Sequence, residues 1–233
     1  MDDIAWTTDF FRAIAPRGAA ATFTHALMPD EARWFREAIE RRVIMVGPCR
    51  PDCPRSRRWN EPTRDEFLTP AGQHRHLFSL SSTSGASINR EYVPHIAAVA
   101  RAIVHFGFSP HRFSLSLYRT FQQDCVTKRR GQSYETDAEF YAPDGSVELH
   151  VEAKKSHGEV KTIAKTLEGC RTLASLPLRC QKELEYVLDV APKHLWLVAP
   201  GCIDPELYVY AVRVSDGQAE FEPIPGLAVI HGG

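Results

Sequence analysis

The chain has 233 residues, of which 43% are hydrophobic, and its 28 basic and 29 acidic side chains give a net charge of −1. This length and composition are sufficient for one domain with an ordinary packed core. A protein that binds nucleic acid through a strongly basic overall charge is excluded. Contacts with phosphates would therefore have to come from local basic patches.

The sequence predicts a cytoplasmic protein without membrane contact. It contains no apolar run of the roughly 20 residues that a membrane-spanning helix needs. Its first residues, MDDIAWTTDF, are acidic and lack the pattern of a signal peptide. The six cysteines are scattered rather than spaced as in a small disulfide scaffold, so we expect reduced thiols.

The first 89 residues predict a helical and loop extension packed on a core. Residues 4–14 have the pattern of a short helix. A second helix is predicted to begin at Pro29, because proline suits a first turn and the acids that follow it favour the N-terminal end. Residues 47–76 are rich in proline and arginine, which predicts a loop or a small insertion, and residues 77–89 are predicted to contain a Ser/Thr/Gly loop.

The proline-rich segment allows two interpretations. Arg57 and Arg58, with Trp59 beside them, have the chemistry to contact phosphates and to stack on a base. Alternatively, the segment is a solvated loop with Trp59 in the core. The sequence leaves both open.

The same segment contains a candidate zinc site. Its members are Cys49, Cys53, His74 and His76. A Cys-x₃-Cys pair followed by His-x-His departs from the usual Cys₂His₂ spacing. This departure makes zinc the weaker alternative.

From residue 90 onward the pattern predicts an α/β core with a mixed sheet. A helix runs from Pro94 to about residue 106, and an alternating strand covers residues 113–121. Strand, helix and strand then follow in an order that fits a sheet with a crossover helix. The later elements are predicted as helices at 160–170 and 178–188, a strand buried on both faces at 194–199, and a hairpin over 207–221.

A β-hairpin is predicted for residues 134–155, YETDAEFYAPDGSVELHVEAKK. Its centre, Asp144-Gly145, is a strong signal for a tight turn. Alternation in the second half predicts one apolar face and one charged face. The apolar face comprises Val147, Leu149, Val151 and Ala153. The charged face comprises Glu148, His150, Glu152 and Lys154.

The turn also predicts the register of the two strands. If Asp144 and Gly145 form a two-residue loop, Asp137 lies opposite Glu152. Opposed residues on one face have Cβ atoms roughly 5 Å apart. Two carboxylates that close repel each other unless a cation lies between them, and oxygen ligands suit Mg²⁺ or Mn²⁺. The hairpin therefore predicts a divalent-metal site, with Lys154 within reach.

Asp137 on one strand, with Glu152-Ala153-Lys154 on the next, resembles the signature of the PD-(D/E)xK nuclease superfamily, which has the restriction-endonuclease-like fold. The sequence also contains a literal Pro-Asp pair that ends at Asp144. At about 3.3 Å per residue this turn residue lies roughly 20 Å or more from Glu152. Asp137 is therefore the aspartate that matches the motif.

The resemblance implies a restriction-endonuclease-like α/β core, in which a helix, three antiparallel strands, a helix and a further strand enclose the site. Residues 90–233 would form this core together with a C-terminal hairpin, and residues 1–89 would form the N-terminal helical extension. The implied activity is metal-dependent hydrolysis of phosphodiester bonds in DNA.

The implied site assigns a role to each matched residue. Asp137 and Glu152, with the carbonyl of Ala153, would hold Mg²⁺ or Mn²⁺, and Lys154 would orient the attacking water and neutralise charge in the transition state. Replacing Lys154 with alanine is expected to abolish cleavage and to spare the fold. The candidates for a third acid are Glu135, Glu139 and Glu91.

A basic loop before the hairpin is the predicted contact with nucleic acid, because phosphates require local positive charge. Enzymes of this superfamily commonly cut both strands of a duplex as paired subunits, so a homodimer is expected. Restriction, defence or repair is the setting that the resemblance implies. The predicted basic contacts are Lys128, Arg129, Arg130, Arg57 and Arg58.

Two alternatives belong to other functional classes. The first is a nuclease-fold subunit that has lost catalysis and binds nucleic acid or assembles with partners. The second is an α/β interaction domain whose charged hairpin face is solvated, since Glu opposite Lys is a common surface pair.

Overall fold

The computed structural model shows an α/β protein with a mixed seven-stranded sheet flanked by helices. Five α-helices and twelve strands lie in the part of the chain that the structure describes. None of these helices is both long enough and apolar enough to cross a bilayer. The described residues are 2–15, 26–48, 64, 66–70, 72, 74–81, 85–88, 92–120 and 133–230.

Two helices open the described chain, and both confirm the sequence prediction. Helix α1 (Asp3–Ile14) follows Asp2, whose carboxylate accepts a capping hydrogen bond at 2.7 Å. Helix α2 (Pro29–Glu40) begins at the predicted proline, which needs no amide hydrogen in a first turn. Phe11 of α1 stacks on Phe35 of α2 with ring centroids 5.2 Å apart, so the two helices pack together.

Short strands follow where the sequence predicts loops. Strands β1 (Met45–Gly47), β2 (Glu66–Leu68) and β3 (His74–His76) form an antiparallel three-stranded sheet. Strands β4 (Phe78–Ser81) and β5 (Gly85–Ile88) pair with each other within the segment that is predicted to contain a Ser/Thr/Gly loop. Each of these strands has only three or four residues, which is too few to show a period. Their buried side chains include Phe67, Phe78 and Ile88.

The main sheet and its helices confirm the predicted α/β class. Its strand order is β6-β7-β8-β10-β11-β12-β9, with β8 and β10 parallel and the other neighbours antiparallel. Helices α4 and α5 lie in the connection between the two parallel strands. The elements are α3 (Tyr92–Phe106), β6 (Phe113–Thr120), β7 (Ser133–Tyr141), β8 (Val147–Ala153), α4 (His157–Leu167), β9 (Gly169–Thr172), α5 (Leu178–Val190), β10 (His194–Val198), β11 (Val209–Ser215) and β12 (Gln218–Pro223).

Two helix boundaries differ from the prediction. Helix α3 begins two residues before Pro94. Helix α4 ends at Leu167 rather than at residue 170, because Cys170 lies in strand β9, which pairs with β12. The predicted C-terminal hairpin is confirmed, and it extends the main sheet because β11 pairs with β10.

Apolar clusters cover both faces of the central strands. On one face, Val151 and Trp196 pack with residues of α3. On the other face, Leu195 and Leu197 pack with residues of α4 and α5. Strand β10 is therefore buried on both faces, as its continuous apolar run predicts.

The N-terminal helices join the first of these clusters. Phe11 and Phe35 belong to the same group of buried side chains as Ile96 of α3 and Val151 of β8. Helices α1 and α2 therefore pack on the core directly. The division of the chain at residue 89 stays a prediction.

The β7–β8 hairpin has a longer turn than predicted. Its loop has three residues, since the Ala142 amide donates to the Ser146 carbonyl at 2.9 Å and Gly145, with φ of 84°, donates to the Ala142 carbonyl. A bulge at Glu148 then shifts the pairing by one residue. The two changes compensate, and Ala138 pairs with Val151, which is the predicted offset.

Gly226 is the glycine whose replacement we expect to destabilise the fold most clearly. Its φ is 141°, and an added Cβ would lie 2.7 Å from the Pro205 carbonyl oxygen. We expect Gly226→Ala to lower the free energy of unfolding by roughly 1–3 kcal/mol for backbone strain, with roughly 1–3 kcal/mol more for the displaced neighbour. Urea denaturation would measure this difference.

Gly145→Ala is the matched control. Gly145 also has positive φ, but open space surrounds the position of its missing Cβ. Its replacement should cause only backbone strain, about 1–2 kcal/mol. Equal losses in the two variants would show that the contact with Pro205 has no energetic effect.

Candidate active site

The β7–β8 pairing ends where the sequence places the candidate site. The last paired residues are Ala138 and Val151, so the next positions along the two strands are 137 and 152. There the Ala153 amide donates a hydrogen bond of 2.6 Å to Oδ2 of Asp137. The half-buried carboxylate of Asp137 therefore accepts a backbone hydrogen bond beyond the last residue pair of the β7–β8 ladder. If the register of this last pair is continued, Asp137 on β7 and Glu152 on β8 lie opposite each other on one side of the sheet.

Glu152 lies at the centre of a buried network of charged side chains. Its Oε1 accepts a hydrogen bond of 2.6 Å from the Lys154 ammonium, and its Oε2 accepts one of 3.2 Å from His150 Nε2. The same ammonium donates to Oε1 of Glu183 on α5 at 2.7 Å. These four side chains are each at most 7% exposed. One cation therefore joins two carboxylates from separate elements.

Most of the charged face of β8 is therefore buried, contrary to the alternative in which this face is solvated. Helices α4 and α5 cover this side of the sheet, and His150, Glu152 and Lys154 are buried beneath them. An alternating pattern shows which residues share a face, but it does not show whether another layer covers that face. Because Lys154 is buried, replacing it should affect the fold as well as any chemistry.

The ionisation of the pair follows from opposing effects. Burial alone would raise the pKa of Glu152, but the Lys154 charge and the His150 hydrogen bond outweigh it and hold this pKa below its ordinary value. Burial would lower the pKa of Lys154, but the charges of Glu152 and Glu183 raise it above its ordinary value. Lys154 is therefore a fixed cation and cannot serve as a general base near neutral pH.

His95 on α3 belongs to the same region and is missed by the sequence prediction. Its imidazole is 1% exposed and donates a hydrogen bond to the Asp137 carbonyl, while its Nε2 has no hydrogen-bond partner. Burial lowers the pKa of His95 to about 3, with the Glu152 charge opposing the shift. The available signal was a histidine on the apolar stripe of the helix, four residues before Val99.

Glu183 is the second residue that the sequence prediction misses. It lies on α5, four residues before the buried Val187, so it shares the buried face of the helix. An acidic residue in that position needs a buried partner. The sequence shows the unusual position, but it does not identify Lys154 as the partner.

The three candidates for a third acid differ in their surroundings. Glu139 is fully buried and binds the Arg119 guanidinium through both oxygens, with Nε at 2.8 Å from Oε1, and it also accepts a hydrogen bond of 2.7 Å from Tyr141. Glu135 lies opposite Tyr118 on β6, two residues before Asp137 in β7. Glu91 lies outside the described residues. The carboxylate that joins Glu152 at the Lys154 ammonium is instead that of Glu183, which is none of these three candidates.

Most of the predicted basic and zinc residues also lie outside the described part of the chain. This applies to Lys128, Arg129, Arg130, Arg57, Arg58, Cys49 and Cys53. His74 and His76 are the two ends of strand β3, where they pair with Leu68 and Glu66. The zinc and phosphate-binding assignments therefore stay predictions.

The donor set fits a hard divalent cation by its chemistry. Asp137 and Glu152 offer carboxylate oxygens at adjacent register positions, and the carbonyl of Ala153 lies between Glu152 and Lys154 in the chain. Among the described residues, no three His, Cys, Asp or Glu side chains are arranged to hold a metal ion. Both oxygens of Glu152 already accept hydrogen bonds, so cation binding would require this carboxylate to exchange a partner.

A separate cavity of about 420 Å³ lies between the starts of α2 and α4 and the loop after β10. Its lining includes Asp30, Glu31 and Asp204, and none of its described lining residues is lysine or arginine. Burial raises the pKa of Glu31, which accepts hydrogen bonds from the amides of Gly201 and Met28. An acidic lining disfavours phosphate, so this cavity is not a candidate for the substrate.

Removing the ammonium of Lys154 should destabilise the fold. We expect Lys154→Met to lower the free energy of unfolding by about 3–5 kcal/mol, because it leaves Glu152 and Glu183 buried without their shared cation. The difference would be measured by urea denaturation at pH 7.

Lys193→Met is the matched control for this experiment. Lys193 forms an ion pair of 2.8 Å with Glu148 at the surface, where its side chain is 53% exposed. Solvent screens this pair, so its loss should leave the denaturation midpoint almost unchanged. Equally small shifts in both variants would contradict the role of the buried network.

Comparisons of the chain with protein-family models, with curated proteins and with solved structures find no match. None of them places the chain in the PD-(D/E)xK superfamily. The assignment of a function must therefore start from the fold and from the buried site described above.

Proposed function

We propose that this protein is a metal-dependent nuclease that hydrolyses phosphodiester bonds in DNA. The observation that carries the proposal is the position of Asp137, Glu152 and Lys154 around the point where β7 and β8 stop pairing. Two carboxylates and a fixed ammonium at one point are the groups that divalent cations and phosphates require.

The order of the core elements supports the same proposal. Helix α3 precedes the antiparallel strands β6, β7 and β8, which are followed by α4, the edge strand β9, α5 and strand β10, which is parallel to β8. Apart from β9 and the second of the two helices, this is the order that the restriction-endonuclease-like core of the PD-(D/E)xK superfamily implies. Because one fold can host unrelated functions, the order supports the proposal only together with the site residues.

Each residue of the site has a defined task in the proposed reaction. Asp137 and Glu152, with the Ala153 carbonyl, would hold Mg²⁺ or Mn²⁺. When bound, such an ion lowers the pKa of its water and offsets charge on the phosphate. Lys154 supplies a positive charge that stabilises the pentavalent transition state, because its protonated form is favoured by two carboxylates.

The finer parts of the proposal concern substrate and assembly. The basic segments that contain Arg57, Arg58 and Lys128 have the charge to contact the phosphates of DNA. A homodimer would allow both strands of a duplex to be cut. A cytoplasmic role in restriction or repair agrees with this activity.

A second candidate function is a nuclease-fold subunit without catalysis. It is favoured by one observation, namely that both oxygens of Glu152 are engaged by Lys154 and His150. A carboxylate held in this way would bind a cation only after releasing a partner. Such a subunit would bind nucleic acid or assemble with other chains without cutting.

Asp137→Asn is the sharpest test of the proposed activity. Asparagine keeps a carbonyl oxygen for the Ala153 amide but removes the charge that a cation needs. We expect cleavage of plasmid and single-stranded DNA in Mg²⁺ to fall by at least about a hundredfold, since metal ions supply several kcal/mol of transition-state stabilisation. Calorimetric titration with Mn²⁺ should show weaker binding in the same variant.

Asp144→Asn is the matched control. Asp144 lies in the exposed hairpin loop, where its carboxylate accepts a hydrogen bond of 2.9 Å from the Ser146 amide. Its replacement should leave both cleavage and Mn²⁺ binding unchanged. Mn²⁺ binding by the wild type without cleavage would favour the inactive subunit. Neither binding nor cleavage would favour an interaction domain.

A further inference from the structure

We propose that Glu183 is a positioning residue that holds the Lys154 ammonium at the site where β7 and β8 separate. This inference rests on the proposed nuclease function for its catalytic consequence. The contact that carries it is the hydrogen bond of 2.7 Å from Lys154 Nζ to Glu183 Oε1, in which both side chains are less than a tenth exposed.

Lys154 needs an anchor beyond its own strand. It follows the last residue of β8, and its amide donates to the Val198 carbonyl of β10 at 2.8 Å, which fixes its backbone. Its side chain has a flexible four-carbon stem, so the backbone alone does not determine where the ammonium lies. A second fixed point on another element is required to place it.

Glu152 cannot be that fixed point throughout the reaction. It is a candidate ligand for the divalent cation, and its other oxygen already accepts a hydrogen bond from His150. Any shift of the Glu152 carboxylate towards a cation weakens its hold on Lys154. Glu183 has no such second task in the proposed reaction, so it remains available to hold the ammonium.

Helix α5 gives Glu183 the rigidity that a positioning residue needs. Leu184 and Val187 of this helix belong to the apolar cluster that contains Leu195 and Leu197 of β10. The helix is therefore packed on the strand that fixes the Lys154 backbone. The Lys154 backbone is thus fixed by β10, and its ammonium is held by Glu183 on a helix that packs on β10. Supporting residues hold catalytic groups in the same way.

Stability alone does not explain this arrangement. Replacing a buried ion pair by apolar residues of similar volume is often neutral or stabilising. Glu183 also has a buried Oε2 without a hydrogen-bond partner, and an unsatisfied oxygen of this kind calls for an explanation. Holding a catalytic cation accounts for a buried ion pair that apolar side chains of similar volume could replace without loss of stability.

The test combines kinetics with a measurement that does not depend on activity. We expect Glu183→Ala to lower kcat for DNA cleavage in Mg²⁺ by about 10- to 100-fold, the usual effect of removing a supporting group, with KM within about twofold of wild type. Glu183→Gln, which keeps a neutral acceptor, should recover part of this loss. If the alanine variant does not fold, the kcat of Glu183→Gln alone provides the test.

Glu185→Gln is the matched control, because Glu185 lies on the same helix and is also fully buried. Its kcat should equal that of the wild type. An unchanged kcat in folded Glu183 variants, or a raised KM with an unchanged kcat, would overturn the inference.

The independent measurement is hydrogen exchange of the Lys154 ammonium, observed by NMR in ¹⁵N-labelled protein and assigned by its loss in Lys154→Arg. We expect slow exchange in the wild type, and exchange at least about tenfold faster in Glu183→Ala, because the hydrogen bond to Glu183 is lost. Unchanged exchange would overturn the positioning role. A wild type that cuts no DNA would instead refute the proposed function, and the exchange rates would still show whether Glu183 holds Lys154.

Discussion

The burial of opposite charges around Lys154 is the constraint on which the rest of the core depends. Taking a carboxylate or an ammonium out of water costs several kcal/mol per ion, and close pairing must offset that cost. Here the ammonium lies 2.6 Å from Glu152 and 2.7 Å from Glu183. The end of β8 must therefore lie beside β10, and α5 must have one fixed position in the layer of helices that covers this side of the sheet.

The network also divides the site into a closed part and a more accessible part. Glu152 and Lys154 are buried beneath α4 and α5, and Glu183 lies on the buried face of α5, whereas Asp137 is half-buried at the end of the β7–β8 ladder. A cation or a phosphate would therefore approach from the side of Asp137. The buried groups beyond it supply fixed charges in a region of low dielectric, where such charges act most strongly.

The sequence predicts the position of the hairpin correctly for a reason that is partly accidental. Asp144-Gly145 marks the turn, but the loop has three residues rather than two, and the bulge at Glu148 restores the predicted offset. Local patterns indicate that a turn exists, whereas loop length and bulges depend on how both strands pack. Element type was accordingly easier to predict than register.

Other features could not be predicted because their causes lie far apart in the chain. Strand β9 pairs with β12. Gly169, with φ of 87°, indicates that α4 ends there, but its own residues do not show that a strand follows. The burial of Glu152 depends on helices that follow it. The partnership of Lys154 with Glu183 depends on the tertiary position of α5, which no periodicity in the sequence encodes.

The parallel pairing of β8 with β10 has a consequence for the order of assembly. The carbonyl that accepts the Lys154 amide belongs to Val198, which the ribosome adds only after both crossover helices. Contacts between distant segments must wait for the later segment, because closing a long loop costs entropy first. A nascent chain that has emerged only as far as β8 therefore has its acidic and basic groups in water, and the charged centre can close only after α5 and β10 have been synthesised.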